Sequence, residues 1–143
     1  MANGFAVDFV DVRTGNGLDD TLLTELPYIA EDGTCYKAPI GGTTDGLSVP
    51  ECLQNIIPAT GGNWMSGVLH DSAYRNQLLK LVDGDWVLAN LTQKEADDLI
   101  LEAMKSQGTN LVMRHTIYRA LRMFGSFAYN NNRKKQALKL AKR

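Results

Sequence analysis

Between Phe5 and Val12 the chain runs FAVDFVDV, apolar residues interrupted only by Asp8 and Asp11, which predicts a first strand. Arg13-Thr14-Gly15-Asn16-Gly17 then supplies a turn. Two further β-leaning runs, Leu22 to Ile29 and Thr34 to Ile40, are joined by Glu31-Asp32-Gly33, a hairpin signal. Residues 41–50 are loop-formers, and Pro50 with Glu51 is placed to open a short helix through Ile57. Helical spacing resumes at Asn63, with Trp64, Val68, Leu69, Ala73, Leu78 and Leu79 as the apolar positions. Gly67 weakens its first turn, because glycine costs about 1 kcal/mol relative to alanine inside a helix.

Asp83-Gly84-Asp85, flanked by Leu79 to Val82 and Trp86 to Ala89, predicts a small β-hairpin inserted between two helices. Thr92 followed by Glu95 has capping-box spacing, so a helix should run from there to about Ser106 with Ala96, Leu99, Ile100, Ala103 and Met104 along one stripe. Gly108-Thr109-Asn110 separates it from a last helix carrying Leu111, Val112, Ile117, Tyr118, Leu121 and Phe124. The Asn130-Asn131-Asn132 run reads as a break before a basic tail. These elements predict an α+β fold, mainly helical. A small N-terminal antiparallel sheet packs on an antiparallel helix pair with an inserted β-wing, and a long C-terminal helix follows. Residues 1–129 are read as one compact domain and 130–143 as a basic tail.

A chain of 143 residues, 44% of them hydrophobic, can bury the core of one such domain. Its apolar runs are too short to span a bilayer, and Met1-Ala2-Asn3-Gly4-Phe5 lacks the basic and apolar regions of a secretory signal. Cys35 and Cys52 lack CxxC spacing and a matching histidine cluster, which argues against structural zinc and for reduced, half-buried thiols, with a disulfide between them still open. Charge is more telling. All 16 acidic groups precede residue 105, whereas ten of the 15 basic groups lie in residues 105–143. A segment so one-sided implies an anionic partner or an acidic body for it to fold against.

The chemistry concentrates at His70-Asp71-Ser72-Ala73-Tyr74. On a helix His70 and Tyr74 share a face and Asp71 points about 100° away. Histidine is the side chain best suited to take a proton from water near neutral pH, provided its second nitrogen has an orienting partner. Asp97, at the edge of the next helix's stripe, can be that partner if the two helices pack antiparallel. Asp71 would then remain to hold a cation such as calcium, which takes six to eight oxygens, so Asp45 or loop carbonyls would have to join it. His115 reads as structural and Tyr118 as core, and the glycines near Gly41 and Gly46 form no phosphate-binding pattern.

The ordered set Ala38-Pro39-Ile40-Gly41, Thr44-Asp45-Gly46-Leu47-Ser48-Val49-Pro50, His70-Asp71-Ser72-Ala73-Tyr74, Ala96-Asp97 and Met104 resembles a family of phage and prophage proteins of unknown function. That resemblance implies a host-cytoplasmic or virion location. A shorter resemblance joins the H-D-x-x-Y segment, the inserted wing and an aspartate on an antiparallel helix. It is similar to the core of secreted phospholipases A2 and of the parvovirus capsid phospholipase domain. It implies that His70 activates water, Asp97 orients it, Tyr74 supports Asp97 through its hydroxyl and Asp71 binds calcium. The chain departs from that pattern in lacking a Y-G-x-G calcium loop and a disulfide framework. Two functional readings follow. One is a metal-assisted ester hydrolase held on an anionic membrane by its basic tail. The other is a virion or accessory protein with a vestigial site, whose tail docks on another subunit or on nucleic acid.

Overall fold

A computed structural model describes residues 3–7, 11–14, 20–44 and 64–141 of the chain. The strands are β1 (Gly4–Phe5), β2 (Val12–Thr14), β3 (Asp20–Leu22), β4 (Leu26–Ile29), β5 (Cys35–Ala38), β6 (Thr43–Thr44), β7 (Leu79–Val82) and β8 (Asp85–Leu88). The helices are α1 (Trp64–Tyr74), between β6 and β7, and α2 (Gln93–Ser106) and α3 (Leu111–Ala141), after β8. The fold is α+β, with about half of the described residues helical. Among them, no helix is long and apolar enough to cross a membrane.

Hairpin β4-β5 forms where the sequence places it. Gly33 takes a positive φ of 87°, Ala30 donates its N–H to the Thr34 carbonyl, and the Asp32 carboxylate accepts from the Thr34 N–H. The wing is as compact: Asp83 and Gly84, both at positive φ, are the two loop residues between the paired Val82 and Asp85. Hairpin and wing are one structure, because β5 pairs with β7 to give a five-stranded antiparallel sheet ordered β1-β4-β5-β7-β8. A second sheet, β2-β3-β6, uses Thr43 and Thr44 from the stretch expected to be loop. The single strand expected over Phe5 to Val12 is instead divided: β1 joins the large sheet through β4, and β2 joins the small one through β3. The short helix expected from Pro50 lies outside the described residues.

Helix α1 ends at Tyr74, with Asn76 in the left-handed region at φ 55°, so Leu78 and Leu79 leave the helix and Leu79 opens β7. Helix α2 starts on the capping box. Thr92 Oγ1 accepts from the Glu95 N–H at 3.1 Å and Glu95 Oε1 accepts from the Thr92 N–H at 3.0 Å. This helix is buried on two sides. Ala96, Leu99 and Ala103 join the main core with Leu26, Tyr28, Val68 and Leu69, while Ile100 and Met104 pack with Ile117 and Leu121 of α3.

The break expected at Asn130 to Asn132 does not occur: α3 continues for 31 residues to Ala141. Anchors on both sides of the asparagines hold it. Tyr129 donates its hydroxyl to the Leu91 carbonyl, and Arg133 reaches the carbonyls of Ala73 and Leu91 and the Asn90 side chain while stacking over the Tyr129 ring. Intrinsic preference against asparagine in helices, a few tenths of a kcal/mol per residue, is outweighed by these bonds.

Candidate functional site: a buried carboxylate between three helices

Direction and register of the helix pair follow from its polar bonds. Ser66 meets Gln107 and, one and two turns on, His70 and Tyr74 meet Asp97, so α1 and α2 run antiparallel. Tyr118 meets Asp98, Arg122 meets Asp97 and Tyr129 meets Leu91, which makes α3 antiparallel to α2 as well. Asp97 sits where the three helices converge, with 0% of its surface exposed.

An ionised carboxylate removed from water is costly unless its lone pairs are filled. Three donors fill them. Oδ1 accepts from His70 Nε2 at 2.8 Å and from the Tyr74 hydroxyl at 2.6 Å, and Oδ2 accepts from Arg122 Nη1 at 2.9 Å. Arg122 supplies the counter-charge from the solvent side, and its bond to Asp97 raises the guanidinium pKa further. Burial, reinforced by the hydrogen bond to Asp97 and its negative charge, pushes the Tyr74 phenol far above the usual tyrosine range, so it is a neutral donor. The imidazole of His70, 4% exposed, lies with its centroid 4.0 Å from that of Tyr74, whose other side meets Tyr129 edge-on.

A carboxylate oxygen accepts, so the His70–Asp97 bond assigns the proton to Nε2 and, in a neutral imidazole, the lone pair to Nδ1. Among the described residues no group hydrogen-bonds to Nδ1. The spacing of His70 and Tyr74 thus brings together the three residues expected to carry catalysis.

Asp71 points elsewhere, as its position one residue along the helix requires. Its Oδ2 accepts from the Thr44 hydroxyl at 2.8 Å, tying α1 to β6, where Arg75 and Gln77 also bond Thr43. Asp45, the other expected metal ligand, and Cys52 lie outside the described residues; Cys35 is a free, half-buried thiol. Among the described residues no group of three or more His, Cys, Asp or Glu side chains could hold a metal ion. One carboxylate falls far short of the oxygens calcium takes, so these residues alone do not build a calcium site.

Three contributors escape a reading of the sequence. Arg122 and Thr44 complete the shells of Asp97 and Asp71, and Gly125 lets α3 approach Tyr74: a Cβ at residue 125 would stand 2.5 Å from the phenol oxygen. The signal for Arg122 is electrostatic, since an aspartate inside an apolar stripe needs a cation. Tyr118 is not core; it is partly exposed and donates to Asp98.

No curated protein and no solved structure matches the chain. The model of one family, described as a protein of unknown function (DUF1353), matches residues 21–121, a span that contains His70, Asp71, Tyr74 and Asp97. By that match over most of its length, the chain belongs to the DUF1353 family of proteins of unknown function.

Proposed function

We propose that this protein is a phage-encoded ester hydrolase with phospholipase A2-like chemistry, working in the host cytoplasm or as part of the virion. The observation that carries the reading is the 2.8 Å bond between His70 Nε2 and Asp97 Oδ1, made across antiparallel helices and leaving Nδ1 as the acceptor. Water gives a proton to Nδ1 as its oxygen attacks the acyl carbon. The tetrahedral intermediate then expels the alcohol oxygen, which takes that proton back. Asp97 stabilises the imidazolium formed between these steps, while Tyr74 and Arg122 hold Asp97 in place. Calcium beside Asp71 and Asp45, which the resemblance to phospholipases implies, enters none of these steps.

Hydrolysis of phospholipid vesicles and of a chromogenic ester, each with calcium and with chelator, tests the reading. General-base catalysis contributes about 10²–10⁴-fold, so His70→Ala should lose at least about 100-fold in turnover. Equal turnover by parent and variant rules the proposal out.

The ion pair between Arg122 and Asp97 favours a second reading. An arginine on the dyad's carboxylate joins α3 to the α1-α2 pair, which suits a non-enzymatic head, tail or accessory protein that keeps the cluster as a structural joint. Its basic C-terminal segment would then dock on a virion subunit or nucleic acid. On that reading His70→Ala lowers stability and there is no turnover to lose.

A further inference from the structure

The outward face of α3 is not an ordinary solvated helix surface. Val112, Met123, Phe124, Phe127 and Leu138 are each more than half exposed, with Phe127 at 79% and Met123 at 70%. At about 100° per residue, Val112, Met123, Phe127 and Leu138 fall within an arc of roughly 80°, with Phe124 beside it. Lys134 lies inside this arc, Arg119 about 20° outside one edge and Lys135 about 60° outside the other, past Phe124, and these three cations make no ion pair among the described residues. From residue 105 onward the chain has no acidic side chain. Between Val112 and Leu138 the stripe is about 39 Å long at 1.5 Å per residue.

We infer that this face of α3 binds the surface of an anionic lipid bilayer. Large apolar side chains on one face of a helix, with lysine and arginine interspersed and along the edges, suit insertion at the boundary of headgroups and acyl chains. Each basic residue near an anionic surface strengthens binding about fivefold. The same charges disfavour pairing of this face with itself in a second copy, because Arg119, Lys134 and Lys135 would meet their like. Nucleic acid fits less well: of the exposed apolar side chains only Phe127 and the neighbouring Phe124 offer bases a stacking plane, while Val112, Met123 and Leu138 give neither bases nor phosphates a partner.

The inference stands apart from the proposed hydrolysis. Gly125, packed on Tyr74, and exposed Phe127 are two residues apart and so about 160° apart round the helix. Adhesion and chemistry would use opposite sides of α3.

Flotation of the full chain with phosphatidylcholine vesicles, with and without phosphatidylglycerol, is the test. The parent should float with the anionic vesicles, at least about tenfold more weakly with the neutral ones, and less well in high salt. Met123→Asp with Phe127→Asp should reduce binding more than about tenfold at an unchanged melting temperature. Lys134→Gln with Lys135→Gln should weaken it severalfold, which covers the case in which the aspartate variant fails to fold. His70→Ala, which removes the proposed base, should float like the parent. The inference is overturned by a parent that does not float with anionic vesicles, by folded variants of either pair that float unchanged, or by preferential binding to an oligonucleotide or an acidic peptide.

Discussion

The approach of α3 to the site can be tested through one pair of residues. A Cβ at residue 125 would lie 2.5 Å from the Tyr74 hydroxyl oxygen, 3.3 Å from Gln93 Nε2 and 3.4 Å from Tyr74 Cζ. In the parent, Gly125→Ala gains about 0.5–1 kcal/mol of helix propensity but pays about 1–3 kcal/mol of overpacking against a buried ring, so it should destabilise by up to about 2 kcal/mol. Tyr74→Phe alone removes a hydrogen bond to a carboxylate, worth about 1.5–3 kcal/mol, although Asp97 keeps His70 and Arg122 and the ring keeps its stacking. In the double variant the clashing oxygen is gone. What remains is a near-ordinary contact with the ring and the movable end of Gln93, so alanine becomes neutral or favourable. The two changes should therefore couple by about 1–3 kcal/mol, the double variant being more stable than the sum of the singles. Urea denaturation of the four proteins measures this directly, and a coupling of about 1 kcal/mol corresponds to roughly 2–4 °C in melting temperature for a chain near this size. Additivity within about 0.3–0.5 kcal/mol would refute the close packing of α3 on Tyr74 and, with it, the site geometry built on that contact.

Asp97→Asn should cost about 3–5 kcal/mol, since it leaves the donors of His70, Tyr74 and Arg122 without their anion; a shift in urea midpoint below about 1 kcal/mol contradicts the buried ion pair. Burial, only partly offset by bonds from the Tyr28 hydroxyl and the Glu31 N–H, raises the Glu102 pKa above its ordinary 4.5. The unfolded state then releases its proton first, so stability declines as pH climbs from about 4.5 through the raised folded value, and Glu102→Gln should flatten that decline in melts taken across the acid range. The Tyr28 and Tyr74 phenols are both shifted upward, burial being the largest cause, so native-state ultraviolet titration should leave them protonated while stability falls as pH rises beyond 10. Titration of every tyrosine together near 10 in the folded protein would contradict the buried hydroxyls.

Legibility in the sequence tracked the range of the interaction. Thr92 with Glu95 and Asp83 with Gly84 are local signals, and each element they announce forms with the expected bonds. His70 and Tyr74 are also local, four residues apart, and one antiparallel pairing was enough to bring Asp97 to them. What stayed hidden depends on distant partners. The pairing of β5 with β7 that fuses hairpin and wing, and the use of Thr43 and Thr44 as a strand, need tertiary context. Asparagine's taste for helix ends made residues 130–132 read as a terminus, but Tyr129 and Arg133 find carbonyls at the end of α1 and in the loop before α2. Arg122 is one of three arginines between residues 105 and 132; nothing local distinguishes it from Arg114 or Arg119, and its role appears only once α3 is laid against α2.

The three-donor shell of Asp97 bears on how the protein matures on the ribosome. Both partners of Oδ1 are synthesised before Asp97 itself, whereas the partner of Oδ2 comes 25 residues later. A nascent chain that has exposed α1 and α2 but not α3 can close that pair only around a half-satisfied anion, a state penalised until Arg122 emerges. Completion of the last helix thereby acts as a licence for burial, and a product truncated ahead of Arg122 should be held open and left to proteolysis.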